Sequence, residues 1–304
     1  MRALAPRLSG YATNPVDGVR SHYEVFGPER AERTVLLLPT WSLVHSRIWK
    51  MQVPFLARSG YRVVTFDGRG NGLSDLPATG YGPRDYTNDA LAVIDACGVE
   101  RADVVGFSAG ARTATYLAGL HPERVATVVY IAPSMAPRAA GKRQIEPFLA
   151  EPPDREGWNK YNAVHWREDI EDFVRWFAAQ VHPEPHSTKP QDDTLAWSRG
   201  TTPEVLVRTV VEGGMPELRE LWELVAVPVL FVHGDDDRII PLANTLELAA
   251  DLPQAELVVF EGSGHAPQVR DPVRFNLLLR DFLERTAAPP VARNRGEAAA
   301  HAGA

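Results

Sequence analysis

Ser108 stands in Gly106-Phe107-Ser108-Ala109-Gly110, between an apolar β-branched run and a stretch to Leu120 that suits a helix. A serine where a strand gives way to a helix is a candidate nucleophile, because the tight turn lifts its hydroxyl clear of the backbone. A serine hydroxyl is a weak nucleophile at neutral pH. It needs an adjacent base, and that base needs an acceptor to fix its tautomer and stabilise its charged form. In a sheet-based enzyme such partners belong in loops at the carboxyl ends of later strands. Two loops fit. His233-Gly-Asp-Asp-Asp-Arg-Ile-Ile-Pro241 follows the apolar run 227–232 and offers Asp235, Asp236 and Asp237. Glu261-Gly-Ser-Gly-His265-Ala-Pro267 follows the run 256–260 and offers His265.

Those side chains can meet only if the elements between them form one sheet. Residues 34–38 and 61–66 are short apolar runs of the kind found in buried parallel strands, and the second ends in the turn-forming Asp67-Gly-Arg-Gly-Asn-Gly72. Residues 87–97 carry apolar side chains at helical spacing, with Gly98 as a stop, and 125–131 read as another strand. Alternation of strand and helix implies a parallel sheet with crossovers, an α/β fold. The rhythm breaks over 134–225, which hold five of the seven tryptophans: Trp158, Trp166, Trp176, Trp197 and Trp222. There the stretch 168–181 places Ile170, Phe173, Val174, Phe177 and Val181 on one helical face. Thr202-Pro203 has the chemistry of a helix start, and Gly213-Gly214 that of a stop. The expected organisation is a core of residues 1–133 and 226–286, a helical insertion over 134–225, and a disordered tail over 287–304. Strands at 227–232 and 256–260 and helices at 242–250 and 272–283 complete the core.

Composition removes several classes. A net charge of −7 with no basic stretch argues against a nucleic-acid surface. No run of about 18 apolar residues is present, so no membrane segment is expected, and the N-terminus has no signal-peptide core. A cytoplasmic protein is the expectation. The single cysteine, Cys97, rules out an intrachain disulfide and reads as a small buried hydrophobe. His182 and His186 have metal-like spacing, but the prolines between them prevent the helix that would converge the rings, and no metal is expected. Gly68 to Gly72 lack the strand–helix setting of a dinucleotide site. No pattern specifies an oligomeric state.

The order serine, aspartate, histidine completes a resemblance. Over about residues 20–285 the chain resembles α/β-hydrolase fold enzymes, through Asp67-Gly-Arg-Gly-Asn-Gly-Leu-Ser-Asp75, the glycines flanking Ser108, His121-Pro-Glu-Arg-Val125, Gly234-Asp-Asp-Asp237 and Gly262-Ser-Gly-His265. The resemblance implies a mostly parallel central sheet flanked by helices, with the insertion as a helical lid. It carries the nucleophile to Ser108, the base to His265 and the acid to Asp237, with Asp235 and Asp236 as rivals whose alternative role is to cap the helix from Leu242. Backbone N–H groups of Ala109 and of Trp41, or else Ser42, would form the oxyanion hole. Here the chain departs from the pattern, reading Pro39-Thr-Trp-Ser42 where relatives usually have His-Gly. His45 is expected on a surface loop, and Arg112 in an ion pair with the lid. The implied activity is cofactor-free serine hydrolysis of an ester, lactone or thioester in a small, largely apolar or aromatic substrate. Serine rather than aspartate at 108 argues against a dehalogenase or epoxide hydrolase. Perhydrolysis, carbon–carbon bond hydrolysis and biosynthetic acyl transfer or cyclisation use the same three side chains. A non-catalytic small-molecule binding protein is the alternative of another class.

Overall fold

The computed structural model describes residues 4–135 and 145–287, so the expected tail lies outside the described residues from 288 onward. Two strands precede those foreseen. β1 (Leu8–Thr13) pairs antiparallel with β2 (Arg20–Phe26), and β2 pairs antiparallel with β4 (Arg62–Phe66). Most of β1 faces solvent, so it lacks the alternation that marks a half-buried strand.

From β3 (Thr34–Leu37) onward the sheet is parallel. Its order is β1-β2-β4-β3-β5-β6-β7-β8, with β5 (Ala102–Phe107), β6 (Val125–Ile131), β7 (Val229–Gly234) and β8 (Ala255–Phe260). β5 and β7 are buried along their whole length, because helices cover both faces. β7 starts two residues later than the apolar run suggests and continues through His233 and Gly234. Pro228 has no N–H to donate, although its carbonyl still accepts from Val128 N–H at 3.0 Å.

α1 (Gln52–Arg58), α2 (Pro83–Ala96) and α3 (Gly110–Leu120) are the crossovers of the first half. α2 begins four residues before the expected position. Pro83 opens it, and the Gly82 N–H donates back to the Asp85 carboxylate at 2.9 Å, so its first turn is polar and invisible to apolar periodicity.

Between β6 and β7 the described chain is helical: α4 (Ile145–Leu149), α5 (Ala163–Glu168), α6 (Ile170–Val181), α7 (Thr188–Ser198), α8 (Pro203–Glu212) and α9 (Leu218–Glu223). The stretch 168–181 is not one helix. Asp169 interrupts it, and its side chain caps α6 by accepting from Asp172 N–H at 2.9 Å. Thr202 caps α8 as expected. Trp166, Phe173 and Phe177 of the insertion join the apolar layer on one face of the sheet, Trp166 and Phe173 fully buried at a ring separation of 4.6 Å, while Trp222 of α9 packs in the other layer against Tyr130 and Phe231. α10 (Leu242–Ala250), α11 (Pro267–Arg270) and α12 (Pro272–Arg285) close the core. Asp235 and Asp236 do not cap α10, whose N-terminus has no side-chain cap. The Asp235 carboxylate instead accepts Gly262 N–H at 2.7 Å, and Asp236 lies 3.3 Å from Arg238.

Candidate active site

Ser108 sits at the end of β5 with φ of 51°, a left-handed conformation that L residues avoid and that turns its side chain out of the strand. Two close approaches make the turn possible. A Cβ at Gly106 would meet the Gly110 carbonyl at 2.6 Å, and one at Gly110 would meet the Pro39 carbonyl at 2.5 Å. The Ser108 N–H is anchored on Ile131 O at 2.9 Å.

His265, 157 positions away, brings Nε2 to 2.9 Å from Ser108 Oγ, while its Nδ1 lies 2.7 Å from Asp237 Oδ2. Of the three consecutive acids, Asp237 is the one in contact with the His265 ring among the described residues. Its carboxylate has no exposed surface. Oδ1 accepts N–H bonds from Ile239 and Ile240 at 2.8 and 2.9 Å, and His233 Nε2 stands 3.0 Å from Oδ2. Burial works to raise the pKa of this carboxyl. The opposing charge of His265 and the donors from His233, His265 and Ile240 outweigh it, and hold Asp237 well below the usual carboxylate range. Asp237 is therefore ionised at neutral pH. His233 was not singled out in the sequence, where it reads as the first residue of the loop that follows the apolar run 227–232. It is buried, and its ring also joins Thr245 Oγ1 at 2.7 Å and Ile240 O at 2.9 Å.

A cavity of about 650 Å³ opens on Ser108. Trp41, Phe148, Trp158, Tyr161 and Phe177 supply its aromatic lining, and Pro147, Val210, Ile239 and Ile240 extend the apolar surface. Ala109 and Trp41 both line it beside Ser108, and among the described residues neither backbone N–H has a hydrogen-bond acceptor. Ser42 does not line the cavity, and its buried Oγ donates to Arg69 O at 2.9 Å and lies 2.8 Å from Tyr86 Oη. The glycine-rich 67–72 segment thus braces the 39–42 loop, with Asn71 Nδ2 donating to Ser42 O at 2.8 Å. Trp41 fixes the other side. Its Nε1–H donates to Thr209 Oγ1 of α8 at 2.7 Å, and its ring packs on Phe177 and Trp166 at 5.4 and 5.7 Å. Trp41 therefore pins the 39–42 loop to the insertion.

Arg112 lines the cavity and reaches the insertion at Ser134 and Gly213. Nη1 donates to Gly213 O at 3.0 Å, while Nε and Nη2 donate to Ser134 O and Oγ at 2.9 and 2.8 Å. His45 is half-buried against the Trp197 ring. Cys97 is buried, and that burial pushes its thiol up to about 11, which keeps it protonated and unreactive. No group of metal-ligating side chains occurs among the described residues.

His182 lies at the end of α6 with 2 % of its surface exposed; burial first, and then the charge of His265, push it down to about 3. The folded protein thus leaves His182 neutral where the unfolded chain, with the ordinary value of 6.5, takes up a proton. Its contribution to stability is fully present above pH 6.5 and is lost progressively as pH falls toward 3. Linkage sets the loss at about 2 kcal/mol between pH 7 and pH 5. Urea unfolding of His182→Leu at those two pH values is expected to lack that part of the acid destabilisation.

An eight-stranded, mostly parallel sheet with a serine on the turn after β5 and a histidine in the loop after β8 defines the architecture of an α/β hydrolase. The family model for the alpha/beta hydrolase fold matches residues 33–272, and the chain belongs to that family. The chain is 30% identical over 237 residues to the 2-hydroxy-6-oxononadienedioate/2-hydroxy-6-oxononatrienedioate hydrolase of Paraburkholderia phymatum, covering 76% of this chain and 79% of that protein. It is 27% identical to the AB hydrolase superfamily protein YisY of Bacillus subtilis, covering 82% of this chain and 91% of that one. Among solved structures it resembles the esterase RhEst1 of Rhodococcus sp. ECU1013, with a TM-score of 0.74, 26% identity, and coverage of 91% of this chain and 98% of that one. No helix among the described residues is long and apolar enough to cross a membrane.

Proposed function

We propose that the protein is a cofactor-free serine hydrolase acting on an ester-type bond of a small, neutral, largely apolar or aromatic substrate. The observation that carries this reading is the continuous contact from Ser108 Oγ through the His265 ring to Asp237, opening on an aromatic cavity. His265 Nε2 takes the proton from Ser108 as Oγ attacks the substrate carbonyl. The carbonyl becomes a tetrahedral oxyanion facing the N–H groups of Ala109 and Trp41, and Asp237 stabilises the imidazolium. Collapse of the intermediate breaks the bond to the leaving group, which departs with the proton from His265. Water then gives up a proton to His265 and attacks the acyl-enzyme, and collapse of the second tetrahedral intermediate breaks the bond to Oγ and releases the acid as His265 returns the proton to Ser108. The helices between β6 and β7 act as the lid over this reaction.

The polar groups of the lining favour a neutral substrate. Arg112, its cation, already donates through three nitrogens to Ser134 and Gly213. Asn162 is engaged with the carbonyls of Pro147 and Ala150 and the amide of Val164, and Glu151 with Arg155. A dioate such as the one named for the Paraburkholderia relative would have to displace these partners to bind its charges, and burying an unpaired carboxylate is costly. A panel of p-nitrophenyl and phenacyl esters, matched in length and differing only in a terminal carboxylate, tests the point. The neutral members are expected to have kcat/KM at least about tenfold higher, the factor that 1.4 kcal/mol of desolvation produces. Preference for the carboxylated members, or for a vinylogous dioate over every ester, would overturn the reading.

A further inference from the structure

The segment His182-Pro-Glu-Pro-His186, whose metal-like spacing is set aside by its prolines, lies against the loop that carries His265. The loop that carries His265 presents four consecutive main-chain N–H groups. Two are satisfied by the core: Gly262 donates to Asp235 Oδ1 at 2.7 Å and Ser263 to Phe260 O at 3.3 Å. The other two are satisfied by the insertion. Gly264 donates to Glu184 Oε1 at 2.8 Å, and His265 itself donates to Val181 O at 3.1 Å. Glu184 is 6 % exposed, and its other oxygen accepts the Ser187 hydroxyl at 3.1 Å, so its rotamer is held at both ends. Pro183 closes the contact: a Cβ on Gly264 would meet its Cδ at 2.3 Å.

We propose that Glu184 is a positioning residue for His265. Its carboxylate, oriented by Ser187, fixes the Gly264 amide, and together with the Val181 carbonyl it sets the main chain from which the imidazole reaches Ser108. This rests on the reading of Ser108 and His265 as nucleophile and base. The argument is geometric. The imidazole must hold one nitrogen 2.9 Å from Ser108 and the other 2.7 Å from Asp237 at once, so it tolerates little shift of its own backbone. Removing the carboxylate leaves the Gly264 N–H facing a buried gap, and the loop moves to find another acceptor. The end of α6 is thereby part of the reacting geometry, and the insertion cannot lift away at that point without carrying the base with it.

The test is steady-state kinetics on a neutral p-nitrophenyl ester, read together with the rate of fluorophosphonate labelling. Displacements of about 1 Å near a reacting group can cost as much as about 10²-fold in rate. Glu184→Ala is accordingly expected to lower kcat and the labelling rate together by about 10- to 100-fold, with KM within about twofold. Glu184→Gln, whose carboxamide oxygen still accepts from Gly264, should recover to within about threefold of wild type. Should Glu184→Ala not fold, Glu184→Asp keeps the charge but falls short of the amide, and should show the same loss in kcat. Wild-type kcat in a folded Ala or Asp variant, or a Gln variant as impaired as Ala, would overturn the proposal. The two readings fail differently: an inactive wild type unlabelled at Ser108 removes the hydrolase reading, whereas an active wild type indifferent to Glu184 removes this inference alone.

Discussion

Ser108→Ala is expected to abolish ester turnover, with kcat falling about 10⁶-fold, while the protein keeps its fold. The loss follows from chemistry alone, because the variant has no oxygen within reach of His265 Nε2. The conformation at 108, φ of 51°, is as unfavourable for alanine as for serine, so the backbone strain is unchanged by the substitution. Circular dichroism and urea midpoints matching wild type would separate this outcome from unfolding. Residual turnover within tenfold of wild type would show that another group attacks the substrate.

Replacement of the acid gives the second large effect, and it discriminates among three neighbours. Asp237→Asn is expected to lower kcat about 10⁴-fold, since an amide in place of the carboxylate neither stabilises an imidazolium nor holds the required tautomer. Asp235→Asn should change kcat less than about threefold, because its carboxamide oxygen still accepts from Gly262 N–H. Asp236, on the surface beside Arg238, should be equally indifferent. Equal losses at 235 and 237 would mean that the loop's integrity, and not one carboxylate, is what matters.

Local chemistry made much of this architecture legible. A wholly apolar run, a glycine-flanked serine and a helix-compatible stretch mark β5 and α3 because each is fixed by residues within a few positions of it. β6 and the Thr202 cap of α8 are legible for the same reason. β1 is not, since an edge strand with exposed side chains lacks the apolar pattern from which strands are read, and β2, though mostly buried, mixes Ser21, His22 and Glu24 with its apolar residues. The start of α2 is hidden because Gly82 and Asp85 make it by a polar bond. For the acid, strand and loop patterns alone narrow the choice to three adjacent aspartates, and the family resemblance is what singles out Asp237 among them. The fan of N–H donors from Ile239 and Ile240 and the approach of His265 depend on how two distant loops face each other. Longer-range contacts left still less trace. Trp41 finds Thr209 across 168 positions and Gly264 finds Glu184 across 80, and no local rule couples those pairs. The departure at Trp41 marked this loop as unusual, and the tryptophan fastens it to α8 through Thr209. The segment 182–186 drew notice only for a spacing that its prolines set aside, and its contact with Gly264 left no local sign.

The chemistry proposed here requires that Ser108 alone among the serines be a strong nucleophile, and that His265 make it so. Incubation of the purified protein with a fluorophosphonate, followed by peptide mapping by mass spectrometry, measures both at once. One adduct on Ser108 in the wild type, absent in His265→Ala under the same conditions, is the predicted result. Labelling at a different residue, or labelling of Ser108 that persists unchanged without the histidine, would contradict the account.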